Sequence, residues 1–356
     1  MTLLTRAVSI FAFVMAHAAT QAAELSPELK ALVAAAQKEG ELQLTFGEGS
    51  AGGEVGAMRF EKGMNEMFGT RIKLVFTPGP SMPAMASQIA TLNAAKQPSP
   101  SDVYVGWSRH YPALYKRKVL QSFEWTKLLP GRITPEMVEL DGMAVKFATS
   151  IPGVYYNTKL SPYKPENLSD FLKPEWKGRI ASTPYAANFD VLGGNGFWGL
   201  EKTVAYAKAL SAQVAGLIRC NETERLASGE FLALVMNCSG RDIDELARKG
   251  APVANVTPKD FMARNYTYFG VPKNAQHPNA GALYITYVMT PEGQKIMWET
   301  WGADLDLFPD SNMHRDVAEV ERQNGARMGT ADATWQLAND VGNNAWSEAN
   351  KILLKK

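Results

Sequence analysis

Histidine and cysteine are scarce. Of 356 residues only four are His and two are Cys, and neither type stands in a pattern that metal or redox chemistry needs. His17, His110, His277 and His314 form no H-E-x-x-H pair, and Ser50 fails G-x-S-x-G because position 48 is Glu48. Cys220 and Cys238 are too far apart for a CxxC motif, which argues against thiol catalysis and zinc. No catalytic residue and no cofactor is therefore expected. Charge of one sign is also missing: 37 Lys and Arg face 36 Asp and Glu, a net of +1, so neither nucleic acid nor an anionic membrane surface is suggested as partner. Beyond the first residues no apolar run approaches the roughly 20 residues that span a bilayer.

The N-terminus carries the exception. Arg6 precedes the short apolar run A-V-S-I-F-A-F-V-M-A and the small residues from Ala16 to Ala23. This reads as a secretory signal peptide over residues 1–23, cleaved between Ala18 and Ala23, with an uncleaved anchor as the alternative. Its removal takes away Arg6 and brings the net charge from +1 to zero. Export changes the meaning of the cysteines, since an even pair in an oxidising compartment is a candidate disulfide. Cys220 and Cys238 lie near the ends of two candidate neighbouring strands; two separate buried thiols are the alternative.

With 46% hydrophobic and 21% charged residues the rest is globular, and its length calls for two bodies. Ser26-Pro27-Glu28 starts a helix that Gly40 stops, and Leu42, Leu44 and Phe46 alternate as a strand. Helices around 54–68 and 82–95 then alternate with strands 72–76 and 102–105, the signature of a parallel sheet with crossover helices. Val145, Phe147, Thr149 and Ile151 form an extended run broken at Pro152-Gly153 and resumed by Val154-Tyr155-Tyr156. Proline removes a ladder donor and glycine relaxes φ, so this is where the chain leaves one sheet for another, unless it is a plain hairpin. Val253 to Val256 returns, interrupted by Thr257-Pro258. The expectation is two α/β lobes with Rossmann-like alternation: lobe one from 24–152 and 259–356, including a helical tail 310–356, and lobe two from 153–258.

Gly47, Gly49 and Gly52 match G-x-G-x-x-G between strand and helix. A dinucleotide site would also need an acid closing the second strand, and here that strand ends Phe76-Thr77-Pro78. The glycines still allow a turn that offers N–H groups at a helix start, or simply a tight turn.

The block K-G-R-I-A-S-T-P, the crossover S-I-P-G-V-Y-Y-N-T-K-L, the turn A-S-G-E-F and the ending H-P-N-A-G-A-L-Y-I-T-Y-V-M-T-P-E-G-Q resemble the extracellular solute-binding proteins of bacterial ABC importers, and within them the branch that includes the ferric-ion-binding proteins. The resemblance implies two lobes closing over a small-molecule ligand in the periplasm and delivery to an inner-membrane permease. The ferric binders of this branch carry adjacent tyrosines after the lobe-two strand, where this chain has Asn237-Cys238-Ser239-Gly240-Arg241. Tyr155-Tyr156 is adjacent, but strand alternation points the rings to opposite faces.

The loops at presumed strand ends supply the expected ligand contacts: Glu48, Gly49, Ser50, Trp107 and Ser108 from lobe one, with Tyr156, Thr183, Asn188, Ser239 and Arg241 from lobe two. Hydroxyls, exposed N–H groups and Arg241 suit a phosphate ester, phosphonate or carboxylate, while Trp107 and Tyr156 suit an apolar or sugar portion and Glu48 an amine. A small anionic or zwitterionic solute is the first expectation. A cationic solute such as a polyamine or thiamine-like compound, favoured by Glu48, Asp190 and Asp242, and a ferric ion are the alternatives. A secreted enzyme or a periplasmic sensor partner are those of another class. The protein is expected to be a monomer.

Overall fold

Ser26 opens the first helix, Pro27–Glu39: its hydroxyl accepts the Leu29 N–H at 3.1 Å, and Gly40 closes the helix in the left-handed region at φ 70°. The computed structural model describes residues 25–47 and 49–355, without the side chains of residues 241, 242 and 340–343. The signal peptide read over 1–23 and the ligand contact read at Glu48 lie outside the described residues.

The strand Glu41–Gly47 follows and pairs in parallel with Lys73–Gly79. Pro78 is tolerated inside the latter because that strand is an edge and owes no N–H to a further neighbour. On its other side Glu41–Gly47 meets the segment entering Tyr104–Trp107 through side chains. Asp102 donates its N–H to the Gln43 carbonyl and accepts the Gln43 N–H on Oδ2, each at 2.8 Å, and Ser101 Oγ accepts the Thr45 N–H at 2.9 Å. Asp102 Oδ1 also takes the N–H groups of Gln276 and His277 at 2.8 Å. One buried carboxylate thus ties the two early strands to the start of helix Pro278–Val288.

The long strand Ala263–Gly270 is the centre of lobe one. It runs antiparallel to Tyr104–Trp107 on one side and to Ala144–Ser150 on the other, and Val138–Glu139 adds the outer edge. Phe147 and Phe269 stack across the pair, ring centroids 3.7 Å apart, in a core that includes Tyr104, Tyr111 and Tyr284. The second sheet has the order Val253–Val256, Val154–Asn157, Ala233–Val235, Ile180–Ser182, Val214–Leu217. Its last three strands are parallel, whereas Val154–Asn157 is antiparallel to both neighbours because it arrives from the other lobe. The strand Ala233–Val235 is short, since Met236 turns left-handed at φ 63° and ends the ladder.

Both crossings occur where the prolines stand. Ala144–Ser150 passes through 151–153 into Val154–Asn157, and Val253–Val256 returns through 257–262 into Ala263–Gly270. Buried Asn237 staples the two together. Its Oδ1 accepts the Gly153 N–H, its own N–H bonds the Gly153 carbonyl, and its amide donates to Asn255 Oδ1, all at 2.9 Å.

The tail requires a correction, because its last helix does not pack on lobe one. The strand Gly329–Ala331 does pair with Ala263–Asn265, and helix Ala333–Ala338 lies against Tyr111–Lys116. Trp335, however, reaches Gly194, and helix Asp340–Leu353 packs on Leu200–Ser211 and Phe189–Leu192, where Ala349 and Leu353 join the lobe-two core with Trp176 and Tyr206. Apolar periodicity gave the helix a face to bury and could not say against which lobe. The tail is therefore a further link between the lobes.

Candidate ligand cleft

The loops beyond the ends of both sheets enclose a cavity of about 1110 Å³, walled by Gly49, Ser50, Trp107 and Trp301 of lobe one and by Tyr185, Ser239, Asp244 and Arg248 of lobe two, among others. Ser150, Ile151, Asn255 and Thr257, at the crossings, also line it. A smaller cavity of about 570 Å³ adjoins it and shares Gly49, Arg248, Trp298, Glu299, Trp301 and Gly302.

The glycine-rich loop does what backbone geometry demands. Gly49 and Gly52 sit left-handed at φ 78° and 84°, and a Cβ at Gly52 would collide with the Thr300 side chain. Helix Gly53–Phe68 starts from this turn and packs on helix Pro291–Trp301, whose end brings Trp298, Glu299 and Trp301 to the cleft. Trp107 closes strand Tyr104–Trp107, and its N–H donates to His110 Nδ1 at 3.2 Å. Burial, with the Arg109 guanidinium beside it, pushes His110 down to about 3, so the imidazole stays a neutral acceptor. Arg109 lies between the rings of Trp107 and Trp346, 5.3 and 5.5 Å from their centroids, and 3.7 Å from Asp190 of lobe two.

Of the residues expected to touch ligand, Gly49, Ser50, Trp107 and Ser239 line the cavity. Arg241 begins helix Arg241–Arg248 next to it, its side chain outside what is described. Ser108, Tyr156, Thr183 and Asn188 turn inward. Ser108 is buried in the turn after Trp107, and Tyr156 belongs to the lobe-two core. Thr183 is buried with its hydroxyl accepting the Ala187 N–H at 2.9 Å. Asn188 donates to the Asn237 carbonyl at 2.7 Å and bonds Asn265 of lobe one, so it serves the crossing. Tyr155 donates its hydroxyl to the Ser239 carbonyl while Tyr156 faces the core, so the adjacent tyrosines do not present two phenolates to one point. Tyr185, Arg248, Trp298 and Trp301 escaped the reading. The tryptophans repeat at i, i+3 beside Gly302, a signal equally common in plain core helices.

Cys220 and Cys238 form a disulfide, Cα atoms 5.9 Å apart. The strands they follow are not neighbours, since Ile180–Ser182 lies between them. The bond joins the loops beyond the strand ends, and both cysteines line the cleft. Among the described lining residues carboxylates prevail: Asp244, Glu299, Asp316 and Glu319 against Arg248. Glu299 is held below the usual range by its bond from Arg59, and Glu319 is brought to about 2 by Arg322 and Gln323. Among the described residues Arg248 forms no salt bridge; it bonds the Asp244 carbonyl at 3.4 Å, and its charge helps to hold Glu245 below the usual range.

Two α/β lobes with paired crossings around a solute-sized cleft define the two-lobed periplasmic-binding class. The family described as bacterial extracellular solute-binding protein matches residues 59–305, and the chain belongs to it. No curated protein sequence matches the chain. Similar solved structures include the substrate-binding protein of an ABC transporter from Agrobacterium tumefaciens, at 16% identity and TM-score 0.69, covering 90% of this chain and 97% of that one. The apo ferric ion-binding protein A of Pasteurella haemolytica gives 14% and 0.67 over 89% and 99% of the two chains. The spermidine/putrescine substrate-binding protein of Streptococcus pneumoniae gives 14% and 0.62 over 88% and 99%. The chain is thus a bacterial extracellular solute-binding protein. Among the described residues no helix is long and apolar enough to cross a membrane.

Proposed function

We propose that the protein captures a small zwitterionic organic solute in the periplasm, one that carries an amine and an acid group, and hands it to an inner-membrane permease. The observation that carries this reading is the mixed chemistry of the cleft wall. Asp244 and Glu299 suit an ammonium group, Arg248 with Ser50 and Ser239 suits a carboxylate or phosphate oxygen, and Trp107, Trp298 and Trp301 suit the carbon skeleton between them. The volume is in the range of organic ligands and far exceeds a bare ion. A purely cationic solute is the second reading, favoured by the excess of carboxylates over Arg248 in the described wall.

Calorimetry with 4-aminobutanoate, putrescine and succinate separates these classes, since the three share a four-carbon skeleton and differ in end groups. The zwitterion is expected to bind best. Arg248→Ala is expected to weaken it about tenfold while leaving putrescine unchanged. Tightest binding of succinate, or of putrescine with no effect at Arg248, would overturn the zwitterionic reading.

A further inference from the structure

Tyr185 lies in the turn 183–188 that follows strand Ile180–Ser182 and lines the cleft. Its hydroxyl accepts the Cys220 N–H at 3.1 Å and lies 3.5 Å from Cys238 Sγ. A disulfide sulfur carries no hydrogen, so the phenol is the donor in the second contact. One hydroxyl therefore bridges the two loops that the disulfide joins. The Tyr185 carbonyl accepts the Trp346 indole N–H at 2.9 Å, which fixes the backbone from behind. The turn itself is over-determined: Ala186 and Asn188, both buried, hold left-handed φ of 42° and 62°, a conformation that non-glycine residues keep only where the surroundings enforce it, often at ligand clamps.

We infer that Tyr185 is a specificity-determining wall of the ligand cleft, and that the Cys220–Cys238 disulfide is the device that positions it. With its hydroxyl engaged by Cys220 and Cys238, Tyr185 stands on the cleft wall. A ring facing a cavity that Asp244 and Glu299 also line favours the ammonium end of a solute over a carboxylate end, through its quadrupole. The phenol in turn contacts the Cys238 sulfur, so Tyr185 and the disulfide stand side by side on the cleft wall. This inference rests on the amine-bearing solute proposed above for its ligand class, and on geometry alone for the positioning.

The test uses the mature protein with Tyr185→Phe, Tyr185→Ala and the Cys220→Ser/Cys238→Ser pair. Calorimetry is run with 4-aminobutanoate and succinate, and the rate of disulfide reduction by dithiothreitol is read by thiol alkylation. Tyr185→Ala is expected to lose about tenfold in 4-aminobutanoate affinity relative to succinate, and the Phe and Ser variants about threefold, with unchanged melting temperature in the Phe variant. Dithiothreitol is expected to reduce the bond faster in Tyr185→Ala than in the parent, and bound 4-aminobutanoate to slow reduction in the parent. If the parent binds neither probe, the ligand class fails, and the reduction rates alone decide the positioning. Parental selectivity together with parental reduction rates in Tyr185→Ala would overturn the inference.

Discussion

Lys146 shows how much one residue position can hide. It points from strand Ala144–Ser150 into lobe one, where its Nζ lies 3.3 Å from Glu139, 3.5 Å from Asp332 and 4.7 Å from the centre of the Tyr266 ring. Glu139 Oε2 accepts the Ala333 N–H at 2.9 Å, which pins the tail to this lobe. Burial pushes Glu139 up to about 7, with Lys146 opposing and Asp332 adding to the shift. Because the folded pKa lies above the unfolded one, the protonated form contributes stability that is present below the unfolded value and lost as pH rises through about 7. The parent is therefore expected to lose on the order of 1–3 kcal/mol relative to Glu139→Gln between about pH 5 and pH 8, read from urea midpoints. Parallel pH profiles for the two proteins would refute it. Nothing in the sequence separates Lys146 from a solvated strand lysine, since its neighbours in space lie in distant segments. The same blindness affected Ser108, Thr183 and Asn188: a small polar side chain at a strand end looks alike whether it turns to the cleft or back into its own loop. Cys220 and Cys238 were legible because export and an even count constrain them chemically.

At the scale of elements, the two tail helices Ala333–Ala338 and Asp340–Leu353 are joined to lobe two at a glycine pair. A Cβ at Gly193 would collide with the Cβ of Ala345, and one at Gly194 with the Trp335 ring. Gly193 has an ordinary φ of −82°, so Gly193→Ala tests the contact without backbone strain. It is expected to destabilise the protein by about 1–3 kcal/mol through overpacking, and to make the tail the first site of limited proteolysis. An unchanged urea midpoint with a protected tail would show that the helix rests elsewhere. The crossing strands, by contrast, were legible, because a proline inside a β-rich run has few other physical explanations.

At the scale of the whole molecule, motion of the lobes is expected about the two crossings and the tail. Asn237 holds both crossings to lobe two, while Arg109 meets Asp190 and Trp346 across the gap. A ligand touching both walls favours a closed arrangement by its differential affinity for it. Small-angle scattering is expected to give a smaller radius of gyration with saturating 4-aminobutanoate than without; identical curves at saturation would rule out closure. The tail's links to both lobes are expected to keep that change small.

The sequence by itself determined the alternation of strands and helices, the two crossings, the cysteine pairing and the kinship with solute binders, because each rests on local patterning or on covalent chemistry that neighbours along the chain can report. Tertiary structure alone decided which loop residues face the cleft, that Tyr185, Arg248 and Trp301 meet there, and that the last helix belongs with lobe two. Those facts depend on side-chain direction at strand ends and on packing between segments far apart in the chain, and no periodicity encodes either.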